Sequence, residues 1–503
     1  MKATARSALL GLDVGTTALK GVLFDLSGET LASTERTYAL QAPHPGWVEQ
    51  RPDEVWAALL ETLRELTQQA DEGRRILALA LSAQSGSVIP AKKDGTPVYP
   101  MITWMDNRAV DIVRRWRAEG HAATIRARSG GPPQPGAALA IIAWLRRFRP
   151  DVFAAAERYF SVNDFLVRRM TGRCCTTPSN AGRTQLLNIA TGQWDPTLCA
   201  LAGVEPTQLS SVKASGVVVG RLVPEIREAT GLPETTQVVN GAHDQACTAL
   251  GLGVMEPGAL LLAGGTSWVV TGVVDEPRSV ELPAHFSLDA FPPPQRWTVS
   301  QSLGGLGAGL EWLLDRCWSC TGVERGARFA ALNEALEATQ PGSRGLFFLP
   351  LTGGRRPTNA PQAGAFLHLR LDHTRADMAR AVLESAAFEV RQALDEVREA
   401  RIPIEALWMI GGATRSPLWP QIVADVTRLP LMLPAARNWA AVGAALLAGR
   451  GVGVFETLTR GQRRFQAPMH NLTPNTVHTE RYDDAFLRYR HWAHNIYRET
   501  ATV

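Results

Sequence analysis

The sequence predicts an α/β protein built from two similar lobes, and two observations carry that prediction. Strand-like and helix-like segments alternate along the whole chain. A short pattern also recurs: Leu10-Gly-Leu-Asp-Val-Gly-Thr-Thr17 is echoed by Leu260-Leu-Leu-Ala-Gly-Gly-Thr-Ser267. Gly15 and Gly265 stand about half of the chain's 503 residues apart. Each copy reads as an apolar strand, a Gly-Thr-(Thr/Ser) turn and a second apolar strand, Leu19 to Phe24 or Trp268 to Val274. That is a hairpin with hydroxyls at its tip.

Composition narrows the class. With 45% hydrophobic and 20% charged residues, the chain is neither disordered nor collagenous. Its length suits about three average domains or two larger lobes. The echo favours two, divided near residue 250 into 1–250 and 251–503. The net charge is only +4, with no run of basic residues, so neither nucleic acid nor a membrane surface is an expected partner. Only five of the 52 basic residues are lysines, which makes each one worth locating. The apolar run Ala8 to Val14 is short and contains Asp13, unlike a signal peptide. The uncharged stretch Pro257 to Val274 nears membrane-spanning length, but its Gly264, Gly265, Thr266 and Ser267 read as a turn between strands. Six cysteines are too few for a disulfide framework. Cys317 and Cys320 have the spacing of half a zinc site, with no second pair to complete it. Free thiols and a cytoplasmic location are expected.

The remaining elements follow from pattern. Asp53 to Gln69 is an amphipathic helix, with Val55, Leu59, Leu63 and Leu66 on one side. Ile76 to Leu81 is a buried strand, and Asp94-Gly95 a turn. A helix from near Asn163 closes at Thr171-Gly172. Gln237 to Asn240 is a strand leading through Gly-Ala-His to a helix from Asp244. Arg375 to Arg398 is a long helix, and Leu407 to Ile410 a strand entering Gly411-Gly412. Tyr482, Phe486, Tyr489, Ala493 and Ile496 share one face of a final helix.

Several of these places can carry chemistry. Gly11-Leu-Asp-Val-Gly-Thr-Thr-Ala-Leu-Lys20 sets a carboxylate at the end of a strand, then free amides, two hydroxyls and a lysine. Backbone amides, Thr16 and Thr17 can bind phosphate oxygens, Lys20 supplies a point charge, and Asp13 can hold Mg²⁺. Each alone is more ordinary: Asp13 as a turn acceptor, Lys20 as a solvated strand residue. No Walker A or protein-kinase signature is present, and Gly305-Leu-Gly307-Ala-Gly309 lacks the dinucleotide spacing. Asp244 sits where a strand meets a helix. It is either a helix cap or a base for a substrate hydroxyl during phosphoryl transfer. Gln245, Gln84, Ser85, Trp104 and Asp106 offer the hydrogen-bonding groups and aromatic wall that a polyol needs. The turn Gly411-Gly412-Ala413 admits a nucleotide close to the backbone. Asp425 reads as structural.

Taken in order, these segments resemble the FGGY family of carbohydrate kinases, most of all its xylulokinase branch. The resemblance spans nearly the whole chain. It also rests on His44-Pro-Gly-Trp-Val-Glu-Gln50, Ile102-Thr-Trp-Met-Asp-Asn-Arg108, Arg169-Met-Thr-Gly172 and Gly241-Ala-His-Asp-Gln245. Gly265-Thr-Ser267, Ser302-Leu-Gly-Gly305, Gly364-Ala-Phe-Leu-His-Leu369 and Gly411-Gly-Ala-Thr-Arg-Ser416 continue it. The resemblance implies two actin-like, ribonuclease-H-like lobes with a central cleft. It implies Asp244 as catalytic base and Asp13 on Mg²⁺. Thr16, Thr17 and Lys20 would face the phosphates, while Gly265, Thr266, Gly411, Gly412 and Ala413 hold ATP. Gln84, Ser85, Trp104, Asp106 and Gln245 would line the sugar. The first lobe is then the sugar and metal side and the second the nucleotide side. The implied reaction is ATP-dependent phosphorylation of D-xylulose to D-xylulose 5-phosphate. Another pentulose, gluconate or a small polyol is the alternative, because Gln84-Ser-Gly-Ser87 stands where xylulokinases often carry Gln-Met-His-Gly. Asn180, His368 and Asn438-Trp439 also depart from the family pattern. A homodimer is one assembly compatible with this reading. A non-catalytic nucleotide or sugar sensor is the alternative of another class, and loss of Asp13 or Asp244 would have favoured it. An NAD-dependent enzyme would need the fingerprint that the glycine loops lack.

Overall fold

The computed structural model describes residues 7–70, 73–277, 282–318, 324–350 and 364–500. They fall into two compact units. The first comprises Met1–Met255 with Val274–Thr298 and Arg437–Gln466; the second comprises Glu256–Val273, Val299–Ala436 and Ala467–Val503.

In the first unit, β1 (Ser7–Val14), β2 (Ala18–Asp25), β3 (Thr30–Thr37), β4 (Arg75–Ala83), β5 (Val218–Arg221) and β6 (Gln237–His243) form one sheet. Its order is β5-β6-β4-β1-β2-β3. β1 runs antiparallel to β2 and parallel to β4, and β6 runs parallel to β4. β1 and β4 read as continuous apolar runs because both of their faces are covered. One face takes the helix Pro52–Gln69, whose Val55, Leu59, Leu63 and Leu66 share a core with Leu10, Leu12, Leu19 and Leu23. The helix Trp439–Gly451 packs on β1 and β4 and against the helix Asp244–Leu252. That approach is close. A Cβ on Gly11 would lie 1.9 Å from the Ala441 carbonyl oxygen, and one on Gly443 would lie 1.9 Å from that of Cys247. A segment late in the chain is thereby seated in the first unit, directly beneath Asp13 and behind Asp244.

In the second unit, β7 (Gly258–Gly264), β8 (Trp268–Val274), β9 (Trp297–Gly304), β10 (Ile404–Ile410), β11 (Leu431–Pro434) and β12 (Met469–Leu472) follow the order β9-β8-β7-β10-β11-β12. β7 is antiparallel to β8 and parallel to β10, and β11 is parallel to β10. Strands β3-β2-β1-β4-β6 and β9-β8-β7-β10-β11 thus repeat one topology, and the sequence echo marks the central hairpin of each. Both sheets end on an antiparallel strand, β5 or β12. The uncharged stretch from Pro257 is the β7–β8 hairpin. Among the described residues no helix is long and apolar enough to cross a membrane.

The long helix Arg375–Glu399 opens on a capping box between Thr374 and Asp377. The last helix, Thr476–Thr500, buries Tyr482 and Tyr489 completely. Tyr482 donates to Glu384 Oε1 at 2.9 Å and accepts from Arg380 Nη2 at 2.8 Å. Buried Asp425 secures the approach to that helix, accepting from the Asn475 amide at 2.8 Å and Gln421 Nε2 at 2.7 Å. His368 has φ +61°, a left-handed backbone that favours glycine.

Candidate active site

Asp13 is the penultimate residue of β1, facing Lys20 across the hairpin and Ser82 on β4. Its contacts are thin: Ser82 Oγ donates to Oδ1 and Asn438 Nδ2 to Oδ2, both at 3.3 Å. Burial, and then the charge of Asp244, push its carboxyl up to about 6 against the opposing pull of Asn438, Lys20 and Ser82. Asn438 caps the helix Trp439–Gly451 through Oδ1, which accepts from the Ala441 amide at 2.9 Å, so its remaining donor is aimed at Asp13. An under-satisfied carboxylate beside a second one suits a divalent cation. Mg²⁺ commonly takes one or two carboxylates and completes its shell with water and substrate phosphate. Among the described residues no group of three or more His, Cys, Asp or Glu gathers into a metal cluster. Cys317 is exposed and free, and Cys320 lies outside the described residues.

The hairpin tip and the sugar-side residues interlock. Gly15 closes the turn by donating to the Ala18 carbonyl at 3.0 Å. Tyr38 Oη donates to the Gly15 carbonyl at 2.6 Å, and Gln50 Nε2 to the Thr16 carbonyl at 2.9 Å. Gln84 is buried, reaching the Gly15 carbonyl and Gln50 Oε1 with its amide nitrogen, each at 3.3 Å. Its own Oε1 has no hydrogen-bond partner among the described residues. Trp104 is half exposed, and its Nε1 donates to Thr16 Oγ1 at 3.1 Å. Thr16 and the indole wall are therefore one assembly. Thr17 and Lys20 are exposed, and Lys20 Nζ lies 3.7 Å from Glu35 Oε1.

Asp244 opens its helix at the end of β6 and is partly exposed. Its Oδ1 accepts from the Gln245 amide at 2.6 Å and meets His243 Nε2 at 2.8 Å. Burial works against the charge, but His243, the Gln245 amide and Arg183 together hold Asp244 below the usual carboxylate range. The two carboxylates are thus driven apart, which marks pairs with divided roles. Ser85 is buried and hydrogen-bonded to Asn180, in the helix Pro178–Arg183. Ser179 of the same helix accepts from the His243 amide at 3.1 Å.

Asp106 corrects the sequence reading. It is fully buried, and its carboxylate is filled by the Val48 amide at 2.6 Å, the Arg108 amide and Nε at 2.8 and 2.9 Å, and Arg108 Nη2 at 2.8 Å. Arg108 Nη2 also holds Glu49 at 2.8 Å, and its guanidinium lies 3.8 Å from the Trp47 ring centroid. No lone pair is left for a sugar, so Asp106 is a structural anchor of the loop that presents Trp104. Residues that the sequence reading passed over are Ser82, Tyr38, His243 and Arg183. Of these, only His243 adjoins a predicted site residue in sequence.

In the second unit Gly265, Thr266, Gly412 and Ala413 line one pocket of about 490 Å³, with Phe329, Asn333 and Ser416 among its other walls. Gly411 stands behind it at φ +99°, where a Cβ would lie 2.6 Å from the Gly264 carbonyl oxygen. The glycine turn leads into a short 3₁₀ turn, Gly412–Arg415, before the helix Trp419–Thr427. Ser416 Oγ donates to Asn333 Oδ1 at 3.3 Å, leaving the Asn333 amide nitrogen for a ligand. The volume and the mix of apolar walls with few polar groups suit a small organic ligand.

Comparison with known proteins accords with this architecture. The sequence profile of the FGGY family of carbohydrate kinases, N-terminal domain, matches residues 8–251, and the C-terminal domain profile matches 260–452. A gluconokinase of Bacillus subtilis is 28% identical over 451 residues, 88% of this chain and 87% of its own. A xylulose kinase of Klebsiella pneumoniae is 30% identical over 447 residues, 88% of each chain. The crystal structure of a gluconate kinase from Lactobacillus acidophilus superposes with TM-score 0.91 at 26% identity, covering 99% of each chain. A ligand-bound xylulose kinase from the same organism gives 0.90 at 26% identity, covering 97% of this chain and 98% of its own.

Proposed function

Because the chain belongs to the FGGY family of carbohydrate kinases, with its two-domain actin-like fold, we propose that it transfers the γ-phosphoryl group of ATP to a terminal hydroxyl of D-xylulose. The observation that carries the chemistry is the carboxylate pair at the end of the first unit's sheet, one driven up and the other down. Asp244 stays ionised at neutral pH and takes the hydroxyl proton. A modest base suffices, because the loose transition state of phosphoryl transfer calls for that proton late. Asp13 would hold Mg²⁺, which when bound offsets charge on the phosphate oxygens. Thr16, Thr17 and the amides of the first hairpin orient phosphate oxygens. Trp104 supplies the apolar wall for the sugar, and Gln84 and Gln245 supply hydrogen bonds. The nucleotide is held in the second unit by Gly265, Thr266 and the Gly411-Gly412-Ala413 turn, with Phe329 as an aromatic wall for the base.

Gluconate is the second reading, favoured by the gluconokinase and gluconate kinase among the relatives; the Gln84-Ser-Gly-Ser87 segment, which departs from the xylulokinase pattern, leaves it open. ADP release measured against a panel of ketoses, aldonates and polyols decides between them. A clear kcat/KM maximum on an aldonate would replace D-xylulose. Asp244→Ala is expected to fold and bind ATP but lose phosphorylation. Near-normal turnover would remove the assignment, and binding of both ligands without ADP release by the native chain would favour a sensor.

A further inference from the structure

We propose that His243 is a positioning residue for the reaction, locking one oxygen of Asp244 so that the other faces the substrate hydroxyl. The inference rests on Asp244 being the base. The two carboxylate oxygens of Asp244 are not equivalent. Oδ1 receives the Gln245 amide at 2.6 Å and His243 Nε2 at 2.8 Å. Among the described residues Oδ2 receives no donor, and the Asp244 side chain remains about a third exposed. An aspartate at a helix start held by one amide can still rotate about its side-chain torsions. A second donor on the same oxygen, approaching from another direction, removes that freedom.

The residue that carries the imidazole is itself held. Its side chain is largely buried, it ends β6 in register with Ala83 of β4, and its backbone amide donates to Ser179 Oγ at 3.1 Å. An ionised carboxylate oxygen only accepts, so Nε2 carries the proton of this contact. With Nε2 committed to Oδ1, that nitrogen cannot take the hydroxyl proton. The consequence is a division of labour: His243 and Gln245 bind Oδ1, and Oδ2 accepts the proton of the hydroxyl as its oxygen attacks the γ-phosphorus and the bond to the departing ADP oxygen breaks.

The test compares His243→Gln with His243→Asn and His243→Ala. A glutamine places its amide nitrogen where Nε2 stood, whereas an asparagine offers the same chemistry but falls short. His243→Ala and His243→Asn are expected to lower kcat about 10- to 100-fold, part of what a positioned base supplies, with KM for ATP and sugar within about threefold. His243→Gln is expected to return kcat to within about fivefold of the native value. Equal loss in all three variants, or a loss seen mainly as raised KM or reduced ATP binding, would overturn the inference. So would a fully active His243→Ala. If Asp244→Ala is inactive while His243→Ala is normal, the positioning role alone falls; if Asp244→Ala is active, the base assignment falls with it.

Discussion

Asp13 should weaken the fold that presents it, by an amount that its burial sets. Burial and the neighbouring Asp244 charge raise its carboxyl from 3.8 to about 6. A tenfold change in proton affinity corresponds to about 1.4 kcal/mol, so the ionised carboxylate costs the native state about 3 kcal/mol. By linkage, a folded-state value above the unfolded one means that the native protein holds this proton more tightly. The stability that the protonated group contributes is complete below pH 3.8 and is lost as pH rises through about 6. Asp13→Asn removes the charge while keeping an oxygen for Asn438 Nδ2 and a partner for the rotatable Ser82 hydroxyl. In buffer with a chelator, hydrogen exchange of the β1 amides reports the opening free energy of the first unit. At pH 8 Asp13→Asn should raise it by about 3 kcal/mol, and at pH 4.5 by only about 1 kcal/mol. Asp244→Asn should instead lower stability at pH 8, because the native state holds this carboxyl below its ordinary value, and the double variant should be less stable than the two single effects add up to, because each single change also relieves the repulsion between the two charges. A gain independent of pH, or an Asp13→Asn variant less stable than native at pH 8, would refute the reasoning. The same substitution should abolish most turnover, a cost in stability retained for function.

Asp106→Asn should destabilise the first unit by about 3–5 kcal/mol by leaving Arg108 buried and half-paired. Protein that still folds at low temperature should keep its sugar KM; a large KM rise without loss of stability would restore Asp106 to the sugar site. Trp104→Ala should raise the sugar KM about tenfold, roughly 1.4 kcal/mol of lost aromatic contact, and leave the ATP KM unchanged; steady-state kinetics with each substrate varied checks both. Gly443→Ala forces a methyl against the Cys247 carbonyl and should cost about 1–3 kcal/mol. Because the helix behind it opens on Asp244, kcat in the folded fraction should fall as well, and thermal melts paired with initial rates separate the two effects.

The apolar runs of β1 and β4, the helix Pro52–Gln69 with its buried stripe and the strand-to-helix turn at Asp244 were all legible in the sequence. Local periodicity and turn chemistry decide such elements. The echo of the two hairpins was legible too, and it marks a true repeat of sheet order. Gly411-Gly412-Ala413 was recognisable as a glycine turn, though the short 3₁₀ segment before the next helix was not.

What the sequence alone determined is therefore the class, the pair of repeated sheets and the motif residues Asp13, Thr16, Asp244, Thr266 and Gly412. The tertiary structure decided what each carboxylate faces. Asp106 and Asp244 are alike as letters beside loops, yet one is closed off by four donors and the other keeps an open oxygen. Asn438 reaches Asp13 from the far end of the chain because glycine contacts let its helix settle against β1. Charge state and orientation depend on neighbours brought together through space, and no local pattern encodes them.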